Sequence, residues 1–140
     1  MRNFLFLDDN CARHDQFIDF TQVIVGERSW NGVVRHVHTY STAVDALNEP
    51  KPWEILFLDH DLGEEDQMCA PGVNNKLLTG TDLANFIIKN QVPAKMIVLH
   101  SFNPVGRNSM SKILQNNYKI YEVPFGYPYP KQVINLFLGE

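Results

Sequence analysis

Three short apolar runs in this chain end in residues that can do chemistry. Phe4-Leu5-Phe6-Leu7 runs into Asp8-Asp9-Asn10, Ile55-Leu56-Phe57-Leu58 into Asp59-His60-Asp61-Leu62-Gly63, and Met96-Ile97-Val98-Leu99 into His100-Ser101. Imidazole titrates near neutral pH, so one histidine can accept a proton from a nucleophile while another donates to a leaving oxygen. If His60 and His100 end neighbouring strands, they stand about 4.8 Å apart and can flank one phosphate. Opening of a 2′,3′-cyclic phosphate by in-line attack of water needs such a pair. Asp8, Asp9, Asp59 and Asp61 form a second constellation. Like charges at this density demand a cation or raised pKa values, and carboxylate oxygens favour Mg²⁺, Mn²⁺ or Ca²⁺. A bound ion would neutralise phosphate charge or activate water, and histidines that joined as ligands would favour Mn²⁺. The competing roles are structural: Asp9 or Asn10 as a helix cap, Asp61 as a turn organiser, each histidine as a hydrogen-bonded scaffold residue.

Asn103-Pro104-Val105-Gly106-Arg107 reads as a phosphate cradle, because a glycine-containing turn into a helix exposes backbone N–H groups at the positive helix end. Arg107 and Arg13 would add charge-assisted contacts. Ser101 adjoins His100, but neighbours in a strand face opposite ways, so Ser101 is expected to bond phosphate or backbone rather than form a dyad. Tyr127 or Tyr129 could stack on a base at the rim, although aromatic side chains at such a junction commonly just pack.

The elements that must position these groups alternate. Strands are expected over Asn3–Leu7, Val33–Val37 (an edge, from its alternation), Glu54–Leu58, Lys95–Leu99 and Lys119–Val123. Helices are expected over Ala12–Ile24, after a cap at Ser41, after Thr79 or Thr81, over Arg107–Gln115, and from Pro130 through Phe137. Continuous apolar strands alternating with helices imply an α/β fold with a parallel sheet covered on both faces, and one domain over residues 1–140. Open sheets of this kind bind ligands at the carboxyl ends of their strands, where the acids and histidines fall. Residues 64–79 lack a period and read as a flap over that edge.

The chain has 140 residues, 44% hydrophobic and 20% charged, with a net charge of −4. That charge argues against gripping duplex DNA, though not against a small nucleotide or an RNA terminus. No apolar run approaches the ~20 residues of a membrane span, and the start shows no signal peptide. Cys11 and Cys69 have neither metal spacing nor a disulfide framework, which points to inert thiols in a reducing cytoplasm.

With those residues in view, the chain resembles the response-regulator receiver domain. Asp8 and Asp9, Asp59, and Ser101 fall where receivers carry paired acids, a phosphoacceptor aspartate and a Ser or Thr. The resemblance implies a five-stranded parallel sheet in order 2-1-3-4-5, three-layered and receiver/flavodoxin-like, with acids holding Mg²⁺. Receivers also carry a lysine before a proline; here Val123 precedes Pro124. Asp59-His60-Asp61-Leu62-Gly63, Thr79-Gly80 with Asp82, and His100-Ser101-Phe102-Asn103-Pro104-Val105-Gly106 together look like the narrower cyclic-phosphate processing receiver-like domains. That resemblance implies a phosphoesterase acting on a cyclic phosphate in a nucleotide or RNA end, and a domain of this size could serve RNA repair or nucleotide signalling. His60, His100 and Asp59 would be catalytic, Ser101, Asn103, Gly106, Arg107 and Arg13 phosphate-binding, and Asp8, Asp9, Asp59 and Asp61 would hold Mg²⁺ or Mn²⁺. The alternatives are a non-catalytic module binding a cyclic nucleotide or a protein, and a receiver phosphorylated on Asp59.

Overall fold

The computed structural model describes residues 1–62 and 78–140. The expected flap therefore lies almost wholly outside the described residues. Five strands, β1 (Arg2–Leu7), β2 (Gly32–Val37), β3 (Trp53–Leu58), β4 (Ala94–Leu99) and β5 (Ile120–Glu122), pair in parallel in the order β2-β1-β3-β4-β5. Between them run α1 (Cys11–Val25), α2 (Tyr40–Leu47), α3 (Gly80–Lys89), α4 (Pro104–Leu114) and, at the end, α5 (Lys131–Leu138). The expected sheet order and the edge position of β2 hold.

The central strands are apolar on both faces because both faces are covered. Leu5, Leu7, Leu56, Leu58, Ile97 and Leu99 pack against Ala43, Leu83 and Met110 of α2, α3 and α4. Phe4, Phe6, Ile55, Phe57 and Val98 pack against Phe17 of α1 and Val133 and Phe137 of α5. Each side chain fully buried in this way contributes roughly 1.5–3 kcal/mol. One sheet face is thus leucine-rich, the other aromatic.

Two helix starts differ from expectation. α2 is capped by Thr39 rather than Ser41: the Thr42 N–H donates to Thr39 Oγ1 at 3.0 Å, and Thr42 Oγ1 accepts from the Thr39 N–H at 3.2 Å. This is a capping box with threonine in the place usually held by Glu or Gln. α4 begins at Pro104, three residues ahead of Arg107, because Asn103 Oδ1 accepts from the Gly106 N–H at 3.0 Å and Pro104 fits the first helical position. Thr79 caps α3, with Asp82 returning the bond to the Thr79 N–H at 2.8 Å.

Candidate active site

Register decides which residues meet. Leu7 pairs with Leu58 and Leu58 with Leu99, so the next residues along, Asp8, Asp59 and His100, emerge side by side. They share the phase of Phe6, Phe57 and Val98 and therefore leave the sheet on its aromatic side. All three are buried, and each offers a ligand atom within 4.8 Å of the others. His100 Nε2 donates to Asp8 Oδ2 at 3.0 Å, and its ring stacks on Phe6 with centroids 4.8 Å apart and planes 7° from parallel. His100 Nδ1 is buried without a hydrogen-bond partner.

The first turn of α1 supplies the counter-charge. Asn10 caps the helix through Oδ1, and its own N–H donates to Asp8 Oδ1 at 2.9 Å. One turn on, Arg13 Nη1 lies 3.4 Å from both Asp8 oxygens and 3.8 Å from Asp59 Oδ2. Burial by itself would raise the Asp8 pKa, but the His100 hydrogen bond and charge, the Asn10 N–H and Arg13 outweigh it, leaving Asp8 below its usual range. For Asp59 burial wins: with the Asp8 charge adding, it pushes the carboxyl up to about 6 against the opposing pull of His100, the His60 N–H and Arg13.

This donor set fits a divalent cation. Two carboxylates too close to ionise independently, and an imidazole with an orphaned buried nitrogen, are what such an ion would resolve. Two oxygens and one nitrogen suit Mn²⁺ better than Mg²⁺, which prefers oxygen alone.

The other expected residues are placed differently. His60 is one residue out of phase with Asp59, so its ring turns to the leucine side. There Nδ1 lies 2.9 Å from Asp61 Oδ1, Nε2 lies 3.1 Å from Thr81 Oγ1, and Thr81 donates onward to Ser109 Oγ at 3.1 Å. The expected pairing of His60 with His100 around one phosphate therefore does not form. Asp61 is exposed beside His60, away from the acidic group. Asp9 is buried but outside the three-residue cluster. Ser101 Oγ accepts from the Asn103 N–H at 3.1 Å, in keeping with a backbone role. In the expected cradle, Gly106 already gives its N–H to Asn103, and Arg107 is held by the Ser101 carbonyl and, at 3.3 Å, by Glu122. Arg13 alone of the expected phosphate-binding residues reaches the cluster.

Sequence reading missed several supports. At Gly80 a Cβ would stand 2.4 Å from the Asp59 carbonyl oxygen and 2.8 Å from His60 Cα, so glycine is what lets α3 begin directly on the end of β3. Gly80 donates to the His60 carbonyl at 2.7 Å. The His60 ring occupies the space over Gly106, where a Cβ would come within 2.4 Å of it. His14 of α1 donates from Nε2 to the Asp8 carbonyl at 2.7 Å while its Nδ1 lies 2.7 Å from His36 Nδ1. Burial, with His36 and His38 adjoining, lowers its pKa to about 4 despite that bond. Cys11, expected as an unpaired thiol, is disulfide-bonded.

Comparison with known proteins agrees with this fold. Residues 3–116 match the family model of the cyclic-phosphate processing Receiver domain. No curated protein matches the chain at a significant level. A similar solved structure is the signal receiver domain of a protein described as a Luxo repressor from Vibrio parahaemolyticus. It is 16% identical, with a TM-score of 0.61 over 99% of this chain and 92% of that one. That likeness shows the receiver/flavodoxin-like fold. Where receivers place a lysine, Val123 is buried and donates its N–H to the Leu99 carbonyl at 2.9 Å; among the described residues the cation against Asp59 is Arg13, from α1.

Proposed function

The chain belongs to the cyclic-phosphate processing Receiver domain family, and from that premise we propose that it hydrolyses a cyclic phosphate carried by a nucleotide or an RNA end. The observation that supports this reading is the convergence of Asp8, Asp59 and His100 in one buried cluster with Arg13 against it. Water adds to phosphorus, one ring P–O bond breaks, and the product is a phosphomonoester. Burial raises the Asp59 carboxyl to about 6 in the cation-free protein, and in its ionised form this carboxylate accepts the water's proton. The freed oxygen takes its proton from solvent. Arg13 answers the phosphate charge. His100 holds Asp8 ionised and in place through its 3.0 Å hydrogen bond. Asp8, Asp59 and His100 would hold Mn²⁺ or Mg²⁺, which when bound supplies Lewis-acid stabilisation of the phosphoryl oxygens. His60 positions the end of β3 against α3 and α4.

Phosphorus NMR of the protein with 2′,3′- and 3′,5′-cyclic nucleotides and cyclic dinucleotides, in Mg²⁺ or Mn²⁺, tests the proposal. A monoester resonance is expected with the native chain, is lost in Asp59→Asn and His100→Gln, and persists in His60→Ala. No turnover with any of these compounds, or undiminished turnover in Asp59→Asn, overturns it.

One observation favours a second reading. Arg13 already offers a counter-charge to both carboxylates, as a cluster without a cation requires. A non-catalytic module that captures a cyclic nucleotide would show saturable binding with no product.

A further inference from the structure

Beside the acidic cluster, α1 and the loop from β5 to α5 enclose a cleft of about 370 Å³. Phe20, Phe102, Phe125, Tyr127 and Tyr129 line it together with Arg13. Phe102 and Tyr127 are 55% and 63% exposed, an unusual state for large aromatic side chains flanking a concavity. The volume falls in the range of small-molecule sites, and too much of the wall is aromatic for it to be a water-filled groove.

Two of its residues belong to the cluster as well. Arg13 reaches Asp8 and Asp59 with one nitrogen while its guanidinium carbon sits 5.2 Å from the centre of the Phe102 ring. Phe125 packs edge-on to His100 with centroids 5.9 Å apart and donates its N–H to the His100 carbonyl at 2.9 Å. Arg13 and Phe125 therefore join the aromatic cleft to the buried cluster behind it. Arg13 is the cation at the junction, which suits a ligand whose flat ring and anionic group are joined.

We infer that the cleft is a nucleobase subsite, in which the base of the ligand stacks among Phe102, Tyr127 and Tyr129 while its phosphate meets Arg13. The inference rests on the proposed function for the phosphate end and adds what lies beyond it: the ligand is a nucleotide, not a bare sugar phosphate. Stacking on aromatic side chains tolerates any base, since every base has a π-face. The exposed Gln16 amide at the same wall offers a hydrogen bond to a base edge. Phe125, Tyr127 and Tyr129 lie beyond the residues that match the family model, so the subsite is built partly from this chain's own carboxyl-terminal segment.

The experiment is calorimetric binding with adenosine 2′,3′-cyclic phosphate, the base-free ribose cyclic phosphate and N-acetyltryptophanamide, paired with phosphorus NMR of turnover. The variants are Phe102→Ala and Tyr127→Ala, both at exposed positions that folding tolerates, with Val23→Ala, an exposed α1 position outside the cleft lining, as the control. The native chain is expected to prefer the adenosine compound, and each aromatic variant to weaken it by about 5- to 150-fold, the loss of one stacked face, with the base-free compound unchanged. Equal binding of the adenosine compound by native chain and both variants overturns the subsite. So does a cleft that takes N-acetyltryptophanamide and refuses the nucleotide, which would mark it as a peptide site. Base-dependent binding without turnover upholds the subsite and removes the hydrolytic reading. Turnover with an unaltered KM in both variants does the reverse.

Discussion

His100 Nε2 lies 3.0 Å from Asp8 Oδ2 across 92 residues of sequence, and neither side chain has any exposure to solvent. A buried hydrogen-bonded pair of this kind is most sensitive to the loss of one member. His100→Leu should cost about 3–5 kcal/mol, because it leaves the Asp8 carboxylate buried without its partner. The double variant Asp8→Asn/His100→Leu should cost less than the sum of the two single changes. Urea denaturation of the four proteins measures this, and additive losses would show that the pair is not coupled.

Asp59 should behave in the opposite sense. Its folded-state pKa is raised from 3.8 to about 6, so between those values the native chain holds a proton that the unfolded chain has released. Stability on this account falls as pH rises through that window. Asp59→Asn keeps an acceptor for the His60 N–H and carries no charge, and is expected to be more stable than the native chain above pH 6 by up to about 3 kcal/mol. The advantage should fade toward pH 4, and denaturation midpoints at the two pH values check it. A residue whose removal strengthens the fold while abolishing turnover is one retained for chemistry.

His14 gives a pH dependence of the other sign. Its pKa is lowered from 6.5 to about 4, so in that interval the unfolded chain binds the extra proton. The stability it confers is complete above the unfolded value and is lost as pH falls through the folded one, by about 3 kcal/mol in full. His14→Gln, which can still donate to the Asp8 carbonyl, should lack this loss. The native chain and the variant should therefore converge or cross as the pH is lowered from 6.5 to 4, and parallel curves would contradict the assignment.

Mn²⁺ should stabilise the native chain in proportion to its binding, by about 2.7 kcal/mol at one hundred times its Kd. The shift in Tm should disappear in Asp8→Asn and in Asp59→Asn. It should persist in Asp61→Asn, since Asp61 faces His60 rather than the cluster.

Gly80→Ala should destabilise the chain by about 1–3 kcal/mol or more, because the added methyl would meet the Asp59 carbonyl oxygen at 2.4 Å and backbone cannot give way as a flexible side chain does. Thermal unfolding measures it, with Gly126→Ala as a comparison in which nothing lies within 4 Å of the new methyl and only the positive φ of 93° resists.

The architecture could be read because its signals are local: apolar runs of strand length, helices between them, and glycine or proline at their ends. Asp8, Asp59 and His100 were legible as strand-end residues for the same reason. The relation of His60 to His100 was not, because it depends on which residue of β3 stands opposite which residue of β4, and that is set by packing of the whole sheet. The alternation rule that kept Ser101 from pairing with His100 also keeps His60 from it, once Leu58 is known to pair with Leu99. Arg13 was assigned to phosphate from its charge alone, and its place on the carboxylates follows from the path of α1 after Asn10. Gly80 was visible only within a motif, because the close approach that requires it is tertiary.

The pairing of Leu58 with Leu99 also means that the identity of this site is a matter of counting. Asp59 and His60 are adjacent, and both are polar strand-end residues. Which of them joins the cluster is decided by whether an odd or an even number of residues separates it from Phe57. Removing a single residue between Phe57 and Asp59 would place an imidazole beside Asp8 and send the carboxylate to the leucine side, with no change in which ionisable groups the chain possesses. For this chain, length conservation at the end of β3 matters as much as the residues themselves.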